Sequence, residues 1–104
     1  MKIQFNTDKN VSGSEKLRAS LIALISEELS RFSHQITRLE VHLSDEDGHK
    51  DGLNDKRCLV EARLKGMQPI VVTDQANTHE QAIIGAIDKL KTSLEKIIGR
   101  LRKY

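Results

Sequence analysis

Hydrophobic positions recur along this chain with two different periods, and the changes of period mark out six elements. Ile3 and Phe5 alternate with Lys2, Gln4 and Asn6, which predicts a short strand with one buried face. Ser12-Gly13-Ser14-Glu15 has the S-x-x-E form of a capping box, in which serine and glutamate satisfy free amides at a helix start. Behind it Leu17, Leu21, Leu24, Ile25, Leu29 and Phe32 recur at steps of three and four, the pattern of an amphipathic helix of about five turns. Arg31 falls in its last turn, where a cation suits the helix dipole. Leu39, Val41 and Leu43 then alternate with Arg38, Glu40 and His42, and Cys58, Val60, Ala62 and Leu64 alternate with Arg57, Glu61 and Arg63. Both runs predict strands with one wet face. Residues 44–55 between them are polar, contain Gly48 and Gly52, and are expected to form a loop. Residues 66–69 form a tight connection to the strand Ile70-Val71-Val72-Thr73, with Pro69 expected at its first position because proline has no N–H to donate.

A second capping box, Thr78-His79-Glu80-Gln81, opens a last helix. Its apolar stripe runs through Ile83, Ala86, Ile87, Leu90, Leu94, Ile97, Ile98 and Leu101 to the end of the chain. The order is β-α-β-β-β-α. Each strand is apolar on one side and each helix carries one stripe. The economical solution is a two-layer α+β sandwich, a four-stranded sheet with both helices packed on one face. Its other face would show Arg38, Glu40, His42, Arg57, Glu61 and Arg63 to water. At 104 residues this is one domain, residues 1–104.

Composition narrows the function. No run reaches the roughly 18 apolar residues of a membrane span, and no apolar segment behind Lys2 suggests a secretory signal. One cysteine, Cys58, offers no internal disulfide and fits a cytoplasmic location. Catalytic signatures are missing: there is no G-x-S-x-G, P-loop, G-x-G-x-x-G or H-E-x-x-H. Cys58 lies in the apolar phase of its strand and reads as a buried thiol rather than a nucleophile. His34, His42, His49 and His79 are scattered over different elements without ligand spacing. Asp45-Glu46-Asp47-Gly48 lacks the order of a calcium loop. No enzyme, metal or cofactor is expected. With 3% aromatic residues, any nucleic-acid binding must rest on charge and shape rather than base stacking.

The net charge of +2 hides a segregation. Residues 44–55 hold five acids (Asp45, Glu46, Asp47, Asp51, Asp55) against Lys50, whereas residues 88–104 hold six bases against Asp88 and Glu95. On a helix Lys89, Lys96, Arg100 and Lys103 share an arc of about 60° and form a basic ridge about 20 Å long. Lys91 and Arg102 lie on the opposite flank, beside Asp88 and Glu95, as compensated charge. Two readings of the ridge stay open: a phosphate-binding surface, or solvated lysines and arginines placed by the helix dipole.

The strand Ile3-Gln4-Phe5-Asn6, the run Val41-His42-Leu43-Ser44, and Asp55-Lys56-Arg57-Cys58 leading to Glu61-Ala62-Arg63 follow one another in this order. Ala86-Ile87-Asp88-Lys89-Leu90, continuing to Leu94 and Lys96, completes the set. Together, over nearly the whole chain, they resemble the ribosome hibernation promoting factor family, which includes the ribosome-associated translation inhibitors, in its short form. The resemblance implies a stress-response protein of the cytoplasm that binds the small ribosomal subunit and the 70S ribosome. It would fill the channel of messenger and transfer RNA and keep idle ribosomes from translating. Carried over by position, Lys89, Lys96, Arg100 and Arg102 match basic places in the family's last helix that contact rRNA phosphates, and Lys91 and Lys103 are basic additions at the same end. Thr92 and Ile98 stand where short members often have further bases, and the loop over 44–55 is longer and more acidic than in typical members. With no second domain after Tyr104, the protein is expected to be a monomer that does not bridge ribosomes by itself. Two alternatives remain beside this reading. One is a module like a double-stranded-RNA-binding domain, which shares the order α-β-β-β-α. The other is a protein-interaction domain using the wet sheet face or the acidic loop.

Overall fold

A computed structural model describes residues 1–7, 15–45 and 55–101. Its elements follow the predicted order: β1 (Lys2–Thr7), α1 (Glu15–Glu28), β2 (Ile36–Asp45), β3 (Lys56–Leu64), β4 (Ile70–Ala76) and α2 (His79–Leu101). The four strands form one sheet in the order β1-β2-β3-β4. β1 pairs with β2 in parallel, which needs a long crossover such as the one through α1, and the other two pairings are antiparallel.

The register explains which face is dry. Leu39, Val41 and Leu43 stand opposite Ala62, Val60 and Cys58, and Ala62 and Val60 in turn face Ile70 and Val72. With Phe5 they make an apolar layer that joins Leu21, Ile25 and Leu29 of the first helical segment and Ile83, Ala86, Ile87, Leu90 and Leu94 of α2 in one core. Both helices therefore cover the same face. Cys58 belongs to this core, and burial, reinforced by Asp74, pushes its thiol up to about 12. It is a packing residue, as expected.

Three details depart from the sequence reading. The first helix is not one run of five turns: it ends at Glu28, and Leu29 turns out of helical geometry (φ −104°, ψ 12°) before a single 3-10 turn, Ser30–Phe32. That break lets both Leu29 and Phe32 reach the core. Arg31 thus sits in the short turn and lies 4.6 Å from the Phe32 ring centroid instead of closing α1. Leu17, counted in the apolar stripe, is 37% exposed. Pro69 falls just before β4 rather than at its first position, and the left-handed turn is made by Gly66 at φ 67°. The first capping box reaches into 8–14 and lies outside the described residues. The second holds: Thr78 Oγ1 accepts the Gln81 N–H at 3.1 Å.

Candidate nucleic-acid interface

The wet face of the sheet carries the residues expected there, and the charges of Arg38, Glu40, Glu61 and Arg63 are spent on one another. Arg63 bridges Glu40 (3.5 Å) and Glu61 (3.1 Å), while Arg38 pairs with Glu40 (3.7 Å) and donates to Gln4. Arg38 and Arg63, held by neighbouring carboxylates, offer little to a phosphate backbone.

Along α2 the predicted ridge divides. Lys89 donates to the Thr73 carbonyl (2.7 Å) and to the Asp74 carboxylate (3.1 Å), fastening the helix to β4. Asp74 shares the phase of Ile70 and Val72, so its carboxylate points at the helix, where it occupies the space a Cβ on Gly85 would need. Lys91 lies on the other flank and pairs with Glu28 of α1 at 2.9 Å, which raises its pKa. Glu95 in turn is bound by Arg31. These two contacts advance in the same direction along both segments, so the helices lie side by side in parallel. Lys91 is compensated as the sequence suggested, but its acid comes from α1 rather than from Asp88 or Glu95.

Lys96 and Arg100 are different. Both are exposed, one helical turn apart, and neither has an ion pair among the described residues. Arg102 and Lys103 lie outside the described residues. Of the six candidates, the structure thus presents two as open cations, shows two engaged in the fold, and leaves two aside.

The acidic loop also resolves in part. Residues 46–54 lie outside the described residues, but the acids at its ends are not solvated loop charges as expected. Asp45 continues the buried phase of β2, Asp55 is 6% exposed, and Lys56 spans both carboxylates at 2.6 and 3.4 Å. Its hydrogen bond to Asp45 raises the Lys56 pKa. His79, at the start of α2, shares this environment. Burial and then Lys56 lower its pKa, against the opposing pull of Asp45 and Asp55. The sequence carried a signal for this cluster: Asp45 is in phase with Leu39, Val41 and Leu43, and Lys56 with Cys58 and Val60. Among the described residues no group of His, Cys, Asp or Glu could hold a metal ion, and no helix is long and apolar enough to cross a membrane.

A family model described as Sigma 54 modulation protein / S30EA ribosomal protein matches residues 6–102. The chain belongs to that family. The match bears out the sequence resemblance over both helices and β2, β3 and β4, and takes in only the last two residues of β1. Among curated proteins none matches. Solved structures with the same fold include a ribosomal subunit interface protein from Coxiella burnetii, with TM-score 0.74 and 20% identity over 95% of this chain and 99% of that one. The N-terminal domain of Protein Y from Thermus thermophilus is similar at TM-score 0.72 and 18% identity, over 93% of this chain and 99% of that one. At 20% and 18% identity these two structures show that the S30EA-family chain shares their fold.

Proposed function

We propose that this S30EA-family protein is a hibernation-type factor that binds the small ribosomal subunit of idle ribosomes in the cytoplasm and occludes the channel of messenger and transfer RNA. It acts as a rigid wedge with no catalytic step. The family match over residues 6–102 carries the reading, and the names of the two similar structures, a ribosomal subunit interface protein and Protein Y, agree with it. The open cations Lys96 and Arg100, together with Arg102 and Lys103, meet rRNA phosphates. Lys89 and Lys91 add to the local field while holding the helix in place. Phosphate contacts position such a protein, and the shape of a folded RNA selects it.

Binding through about four phosphates makes affinity fall steeply with salt, by a log–log slope of several units. Sucrose-gradient co-sedimentation with 30S subunits and 70S ribosomes at low and high salt tests this. Co-migration lost at high salt is expected. Absence from every ribosomal fraction at low salt would overturn the reading, and preference for a plain RNA duplex would favour the double-stranded-RNA-binding alternative.

A further inference from the structure

The C-terminal turns of α2 hold a feature that the basic residues do not explain. The helix has 23 residues and rises about 34 Å, whereas β4 beneath it has 7 residues and spans about 23 Å. Its apolar stripe therefore outruns the sheet. Beyond the first residue of β4 the stripe meets the turn after β3 and the connection into β2, and a crevice of about 120 Å³ remains between them. Leu64, Leu94, Ile97 and Ile98 form its floor. Lys65, His34 and Met67 frame the mouth, and Met67 is 43% exposed.

Size and charge together define an occupant. An apolar cavity of about 150 Å³ holds one benzene, so this crevice has room for about one bulky side chain. No carboxylate is among its lining residues. Beside it stand Lys65 and, three residues on from Ile97 on the helix surface, Arg100, neither with an ion pair among the described residues, while Glu95 beside Ile98 is held by Arg31. We propose that the crevice receives one leucine- or phenylalanine-sized side chain from an acidic segment of a partner protein. The apolar anchor fixes position and the flanking acids answer the cations. A second copy of the same face would set Lys65 and Arg100 against their own counterparts. An RNA base would find a narrow aliphatic recess rather than a flat surface on which to stack.

An NMR titration of the full chain decides it, with two blocked heptapeptides of alternating glutamate and aspartate as probes. One carries a central phenylalanine, the other alanine in its place. The methyl signals of Met67, Ile97 and Ile98 should shift with the phenylalanine peptide, which should bind at least about tenfold tighter, a difference of roughly 1.4 kcal/mol. Met67→Glu, at an exposed position, should erase that difference while leaving the core Val60 methyls unmoved. Equal binding of both peptides with shifts confined to Lys96 and Arg100 would overturn the proposal. So would silence of the three methyls at millimolar peptide, or their shifting with protein concentration alone, which would mark a self-contact. Ribosome co-sedimentation is unaffected by either result, so the two readings fail separately.

Discussion

Over its first three turns α2 lies flat on β3 and β4, with Ala82, Ile83, Ala86, Ile87 and Leu90 buried and Lys89 tied down to Asp74. Over its last turns the same helix runs past the sheet, Ile97 and Ile98 are only half-buried, and Lys96 and Arg100 stand free of ion pairs among the described residues. Lysines on a single helical arc thus serve two ends. What separates them is the element underneath: where a strand supplies a carboxylate the cation becomes a fastener, and where the sheet has ended it stays available to a partner.

The sharpest way to break this contrast is to remove packing from each half. Leu90→Ala should cost about 3 kcal/mol in urea unfolding, as for other fully buried leucines, and Ile98→Ala about 1 kcal/mol. Equal losses would mean that the last turns are as firmly seated as the first. Next in size is Lys56→Met, which leaves the Asp45 and Asp55 carboxylates without their shared cation. A loss that shrinks as pH rises through the raised folded pKa of Lys56, where the native side chain also gives up its charge, is expected. A pH-independent loss would assign the effect to the lost side-chain packing instead.

Charge removal along the arc should give a smaller, crossed pattern. Lys89→Gln should lower stability by up to about 1 kcal/mol, since its pair is largely exposed, with little effect on ribosome binding. Lys96→Gln should leave stability unchanged and weaken binding. The smallest effect is the pH dependence set by His79. Its pKa is lower folded than unfolded, so the unfolded chain binds the proton more readily. Stability should therefore be full above the unfolded value of about 6.5 and decline as pH falls below it, and His79→Gln should flatten that part of the profile. A profile unchanged by the substitution would show that His79 titrates alike in both states.

The fold was legible because its determinants are periodic. The alternation of Leu39, Val41 and Leu43 and of Cys58, Val60 and Ala62 fixed the dry face, and Thr78 marked the start of α2. The break at Leu29 was not legible, because steps of three and four continue through it to Phe32 and only the packing requires the turn to tighten. For the candidate interface, the residues on the basic arc could be read, but not which of them are free. That depends on contacts between elements far apart in sequence: Asp74 with Lys89, Glu28 with Lys91, and Arg31 with Glu95. The phase of Asp74 within β4 was a usable sign, since a carboxylate aimed at a helix needs a cation there.

The most direct test of the division within α2 is 30S co-sedimentation, at a fixed low salt concentration, of two variants checked for native unfolding midpoints. With Lys96→Glu and Arg100→Glu together, association should be lost, while Lys89→Gln should co-sediment like the unaltered protein. Retained binding by the double variant, or loss in Lys89→Gln alone, would contradict the assignment of the free end of the helix as the ribosome-facing surface.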